Sequence, residues 1–252
     1  MSIICNLQFK IDYKLKTSKF KFERWGLFCY PYFTMQLKYL GHSSFLIKSK
    51  DAKVVLDPFD PKAVGLKYPK QEADIVTLSH GHADHNYSAG VSAEALVVDW
   101  PGEYEKMGVR ITGYSTYHDN EKGAQRGDNL LFKIEADNIS ILHCGDLGHK
   151  LSDELVDEIG DIDILLIPVG GHYTIDAQEA VSIIHKIEPS IVIPMHYNHK
   201  DLDQKVYGEL TGLDEFVKAY GSAAAETLDV LTLKKDDILE ETKLVIMNLS
   251  SQ

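Results

Sequence analysis

The densest chemistry in the chain lies in six consecutive residues, His80-Gly81-His82-Ala83-Asp84-His85. They follow the apolar run Ile75 to Leu78, which reads as a buried strand ending at Ser79-His80. Three imidazoles and a carboxylate are donors that zinc accepts at about 2.0 to 2.2 Å, and a short loop can turn them toward one point or two adjacent ones. A closed structural site is disfavoured, because such sites usually take thiolates. Cys144 lies far along the chain and outside any Cys-x-x-Cys spacing.

A His-x-His-x-Asp-His loop after a strand resembles the signature loop of the metallo-β-lactamase fold superfamily. In that superfamily a later histidine, an aspartate in a Gly-Asp pair and a final histidine complete a dinuclear site. This sequence offers Tyr117-His118-Asp119, His143-Cys144-Gly145-Asp146 and Pro194-Met195-His196-Tyr197-Asn198 in that order, and the match runs from about Met35 to about Asn198. The resemblance implies an αββα four-layer sandwich and two metal ions. It places His80, His82 and His118 on one ion, Asp84, His85 and His196 on the other, and Asp146 between them. A metal-bound hydroxide then attacks the substrate, with catalytic roles for Asp84 and Asp146. Gly41-His42-Ser43, Leu56-Asp57-Pro58, Gly145-Asp146 and the His196 segment resemble the branch that includes L-ascorbate-6-phosphate lactonase. That branch implies a small anionic substrate, a lactone or a phosphoester.

Asp57 ends a strand before a proline and is expected to accept the free ring N–H of a ligand histidine, fixing its tautomer. The competing reading is a plain turn aspartate. His42, in a turn after the first strand, is a candidate to contact substrate or donate a proton. His172, in Gly170-Gly171-His172-Tyr173-Thr174, is a candidate acid for the leaving group. His143 and His149 are expected to pack or cap, His185 and His199 to be structural or solvated, and Cys144 to behave as a small buried hydrophobe.

The elements that must position these residues follow from periodicity. Gln36 to Leu40, Phe45 to Lys48 and Val54 to Leu56 read as a strand meander; Leu96 to Val98, Val109 to Thr116, Asn129 to Glu135 and Ile139 to His143 continue the series, with Asp137-Asn138 as a tight hairpin turn. Ser152 to Ile159 and Asp176 to Ile187 space apolar residues as amphipathic helices do, with Ser152 and Asp176 as N-caps. Ile162 to Ile167 and Ile191 to Pro194 are short buried-strand runs, and the polar stretch Asn198 to Gly212 reads as an exposed loop. Mostly hairpin-linked strands in the first half and alternating strands and helices in the second predict an α/β fold of two mixed sheets with helices outside.

At 252 residues, 44% hydrophobic and 25% charged, the chain has the composition of a globular protein with a sizeable core. Residues 1–34 carry a net charge of +4, leaving −16 after them, so the working domain is expected over 35–252 and residues 1–34 as an extension or the product of an upstream start. A formal charge of −12 disfavours a nucleic-acid binder and points to a small-molecule substrate. Three scattered cysteines fit a reducing compartment, and neither a bilayer-spanning run nor a secretory leader is evident, so the expected location is cytoplasmic with no membrane partner. Zinc is the default ion, with manganese or iron as alternatives. Two other functions stay open: a phosphodiesterase or nuclease of the same fold, and a metal-binding sensor without turnover. Aromatics such as Tyr30 and Tyr32 could support a homo-oligomer contact.

Overall fold

The computed structural model describes residues 34–221 and 225–250. The expected extension over 1–34, Tyr30 and Tyr32 included, therefore lies outside the described residues except for Thr34.

The first strands are β1 (Met35–Gly41), β2 (Ser44–Lys48), β3 (Lys53–Leu56), β4 (Ile75–Thr77) and β5 (Leu96–Val98), with the short helix α1 (Pro61–Val64) between β3 and β4. Then come β6 (Gly102–Lys106), β7 (Val109–Tyr117), β8 (Asp128–Ala136), β9 (Ile139–His143), α2 (Asp153–Ile159), β10 (Ile164–Pro168), α3 (Ala177–Ile187) and β11 (Ile191–Met195). The tail adds α4 (Gln204–Tyr207), α5 (Leu213–Tyr220), β12 (Glu226–Leu228), β13 (Leu231–Leu233) and β14 (Lys243–Met247). One sheet runs β13-β1-β2-β3-β4-β5, the other β12-β14-β11-β10-β9-β8-β7-β6, and both are mixed. This is the metallo-β-lactamase fold, a two-sheet α/β sandwich.

Alternation along the first sheet assigns each residue to a layer. Met35, Leu37, Tyr39, Phe45, Ile47, Val54, Leu56 and Ile75 join the central core between the sheets. Leu40, Leu46, Val55 and Val76 point the other way, into a second cluster with Phe59, Val64, Tyr68 and Tyr207. Period-2 placement of apolar residues on both faces means that both faces are covered. On the second sheet the strands β10 and β11 are apolar throughout, β9 adds Ile139, Ile141 and Leu142, and α3 contributes Ala180, Ile183 and Ile184 to the central core. Ser152 and Asp176 cap α2 and α3 as expected, Asp176 through a capping box with Glu179. The Asp137-Asn138 turn has positive φ at both residues, as a two-residue type I′ hairpin requires.

Two expectations need adjustment. The first half is mostly hairpin-linked as expected, but β3, β4 and β5 pair in parallel. Parallel pairing brings the carboxyl ends of β3 and β4 to one edge, so Asp57 and the Ser79-His80 corner become neighbours. The same holds in the second sheet, where β9, β10 and β11 are parallel and end at His143, Pro168 and Met195. The second correction concerns Asn198 to Gly212, which holds α4 and buries Leu202, Tyr207 and Leu210 against the outer face of the first sheet. Its polar residues face outward while these three widely spaced side chains fill the layer, a pattern too short and irregular to show a helical period. Among the described residues no helix is long and apolar enough to cross a membrane.

Candidate metal centre

The side chains gather at the carboxyl ends of strands from both sheets, where open α/β sheets place their ligands. His80, His82 and His118 bring ring nitrogens within 4.8 Å of one another, and His42, Asp84, His85 and His196 form a second such group. Asp146 lies against both. Its Oδ2 is 3.2 Å from Nε2 of His118 and 3.2 Å from Nε2 of His196, and its Oδ1 is 3.1 Å from Nε2 of His85.

The residues that shape the loop are held from behind by Asp57, which is fully buried. Its Oδ1 accepts the Ser79 backbone N–H at 2.8 Å, and its Oδ2 accepts the Ser79 hydroxyl at 2.5 Å and Nδ1 of His85 at 2.8 Å. With its own hydrogen committed to Asp57, the Ser79 hydroxyl can only accept from Nδ1 of His80, 2.9 Å away. Hydrogen-bond logic thus places the protons of His80 and His85 on Nδ1 and turns both Nε2 lone pairs forward. Asp57, His42 and His196 all take left-handed backbone conformations, with φ of 40°, 56° and 51°. Such strain concentrates where a side chain must be aimed. Gly145 is required for the same reason: φ is +52°, and a Cβ there would sit 2.4 Å from Oδ1 of Asn129, the atom that accepts the Asp146 N–H at 2.9 Å.

Protonation states suit metal ligation. Burial and the neighbouring His85 push His80 down to about 3, and burial and His196 push His42 down to about 4. His82 is lowered by partial burial and His118. Burial opposes charge on Asp84, Asp146 and Asp57, yet the surrounding imidazoles, His85 foremost for Asp84 and His196 for Asp146, hold all three below the usual carboxylate range. His85 is the exception: burial works against its charge, but Asp146, Asp84 and Asp57 together raise it well above the ordinary imidazole value.

An observation within the cluster tests its fit to a metal. Nε2 of His85 and Oδ1 of Asp146 face each other at 3.1 Å, both deeply buried, and neither makes a hydrogen bond. Two orphaned donors at that spacing, one nitrogen and one carboxylate oxygen, match the arrangement of ligands around a common ion.

Among the remaining candidates, His42 is buried and its Nε2 is 3.1 Å from Oδ2 of Asp84. It belongs with the second group of donors rather than at the mouth alone. Its backbone carbonyl also accepts the Tyr39 hydroxyl at 2.8 Å and the His196 N–H at 3.0 Å. His172 is exposed, pairs with Glu209 at 3.1 Å and joins neither group. His143 packs behind the site, with Nε2 2.8 Å from the Ser43 carbonyl, and Cys144 is buried as expected. His149 accepts the Tyr117 N–H at 3.2 Å, and His185 is solvated. Sequence reasoning missed Tyr207, which is buried and donates its hydroxyl to Oδ2 of Asp84 at 3.1 Å. Nothing local marks this tyrosine, since its helix is a single turn.

A family model described as a β-lactamase superfamily domain matches residues 36–196, and the chain belongs to that superfamily. Within it the chain is a member of the UPF0173 metal-dependent hydrolase family. It is 30% identical over 235 residues to the UPF0173 metal-dependent hydrolase of Thermococcus onnurineus, covering 82% of this chain and 99% of that one. A second such protein, from Pyrococcus abyssi, is 30% identical over 192 residues, 65% of this chain and 85% of that one. Among solved structures, a proposed Zn-dependent hydrolase of the metallo-β-lactamase superfamily from Thermotoga maritima superposes with a TM-score of 0.70 at 36% identity, covering 84% of this chain and 98% of that one. Igni18, a metallo hydrolase from Ignicoccus hospitalis, shares the fold at 21% identity and a TM-score of 0.62 over 86% of this chain and 97% of its own.

Proposed function

We propose that this metal-dependent hydrolase is dinuclear, with His80, His82 and His118 holding one divalent ion, Asp84, His85 and His196 the other, and Asp146 shared between them. Zinc is the default ion, with manganese and iron as alternatives. The substrate is a small anionic lactone or phosphoester, the choice favoured by the lactonase-like motifs around His42, Asp57 and His196. The single observation that carries the reading is Asp146, whose two oxygens reach histidines of both groups at 3.1 to 3.2 Å.

Divalent ions held there would lower the pKa of a water from 15.7 to about 7 and polarise the scissile carbonyl or phosphoryl oxygen. The chain supplies the rest. Asp57 fixes the tautomer of His85 directly and that of His80 through Ser79. His42 and Tyr207 both engage Oδ2 of Asp84, leaving Oδ1 free to ligate. His172, exposed on the glycine-rich turn after β10, is the candidate to protonate the leaving group.

Metal content of the reconstituted protein, paired with hydrolysis of a sugar lactone, a thioester, nitrocefin and bis-p-nitrophenyl phosphate, tests this. Two metals per chain and turnover of the lactone or the phosphodiester are expected, with metal and activity both lost in Asp146→Ala. No bound metal after reconstitution overturns the assignment.

A further inference from the structure

The loop that follows the ligand candidate His118 carries an arginine, Arg126, that the chemistry described so far does not use. Asp119 follows His118 directly and is almost fully buried. Its carboxylate accepts the backbone N–H groups of Glu121, Gly123, Gln125 and Arg126 at 2.7 to 2.9 Å. These four bonds make the carboxylate a hub that fixes the loop, and the loop closes where the Gly127 carbonyl accepts the His118 N–H at 3.0 Å.

What the hub positions is Arg126. Its Nη2 donates to the His172 carbonyl at 3.1 Å, and its guanidinium carbon sits 5.7 Å from the centre of the Tyr173 ring. The turn that carries those residues starts at Gly170, packed so closely on the His196 carbonyl that a Cβ would come within 2.1 Å of the oxygen. Tyr173 in turn donates to the Val206 carbonyl at 3.0 Å, one residue before the tyrosine that holds Asp84. Arg126 is thus tied on one side to the segment of His118, from the first donor group, and on the other to the turn packed on His196, from the second.

This arginine is half-buried and stacked, and among the described residues no carboxylate pairs with it, in a chain of formal charge −12. Glu209 pairs with His172. A guanidinium fork with one nitrogen occupied by a carbonyl keeps further N–H groups for two anionic oxygens.

We propose that Arg126 is the recognition residue for an anionic group, carboxylate or phosphoryl, that the substrate carries beside the bond to be cleaved. The proposal rests on the hydrolase reading above and adds a requirement to it: the substrate is bifunctional, with the scissile group on the metals and a second oxyanion on Arg126.

Calorimetric titration of the metal-loaded protein with propionate, succinate and 3-phosphonopropionate tests it. Propionate can occupy only one position, whereas the other two present a second oxyanion as a carboxylate or a phosphonate. The wild type is expected to bind at least one of the two at least tenfold more tightly than propionate, and the better of them names the anion. Arg126→Gln abolishes the preference and leaves propionate binding unchanged; Arg126→Lys keeps part of it, since the charge stays and the fork is lost. Equal affinities in the wild type, no measurable binding of any ligand included, overturn the subsite, and so does a preference that survives in Arg126→Gln. Metal content of the same samples separates the two readings: a chain that takes up no metal overturns the proposed function, while a loaded chain without the preference overturns only the subsite.

Discussion

The two donor groups around Asp146 are built unequally. The group of His80, His82 and His118 has no carboxylate of its own, and His82 is exposed. The group of Asp84, His85 and His196 includes a carboxylate, a fully buried His85, the added imidazole of His42 and the Tyr207 hydroxyl on Asp84. On the dinuclear reading proposed above, charge count and burial both favour the second as the firmer metal position and leave the more open first group to meet solvent. The first group is also tied to the protein interior by fewer bonds, chiefly the Ser79 link to His80.

The largest effect expected from this asymmetry is on stability. His85→Ala removes one of the partners of the fully buried Asp57 and should destabilise the metal-free protein by about 3–5 kcal/mol, as breaking a buried charged pair does. His82→Ala, at an exposed position, should stay within about 0.5 kcal/mol. Each variant should lose one metal. Thermal melts beside metal analysis check this, and equal destabilisation would break the comparison.

Acidity next separates donors inside the second group, where His42 and His85 shift in opposite directions. His80 and His42 titrate lower in the folded state, at about 3 and about 4, than the ordinary value of about 6.5. The unfolded chain therefore binds more protons below pH 6.5, and metal-free stability falls as pH drops toward 4, by on the order of 3 kcal/mol from His42 alone. His85 has the opposite sign: its raised pKa contributes stability that is complete below about 6.5 and is lost as pH rises through the folded value. Denaturant melts across pH should show His42→Ala flattening the acid limb and His85→Ala the alkaline limb. The same limb responding to both variants would contradict the assignment.

The smallest effect sharpens the difference within the second group. Tyr207→Phe removes one hydrogen bond from Oδ2 of Asp84 and should weaken one metal about 10- to 100-fold, the usual consequence of losing a partner behind a ligand. Competition with a chelator should show one affinity shifted and the other unchanged; a shift of both would mean that Tyr207 acts on the whole centre.

Much of this was legible in the chain. The loop His80 to His85 concentrates its donors within six residues after an apolar strand, so that local pattern exposes it directly, and the order of His118, Asp146 and His196 strengthens it. The caps at Ser152 and Asp176 and the turn at Asp137-Asn138 were readable for the same reason, being decided by residues three or fewer positions apart. The parallel pairing of β3 with β4 was not, because an apolar three-residue strand carries no mark of its neighbour's direction. Short strands in the tail, β12 and β13 among them, are likewise defined by their partners and not by a period of their own.

The sequence by itself determined the donor types, the strand ends that carry them and the class of chemistry, because those depend on residues adjacent in the chain. Only the tertiary structure decided which donors share a position: that Asp146 touches both groups, that His42 joins Asp84, that Tyr207 arrives from a one-turn helix, and that Arg126 reaches the turn of His172. These meetings span up to 123 positions along the chain. They arise because parallel strands in two sheets end at one edge, a consequence of packing that no local pattern encodes.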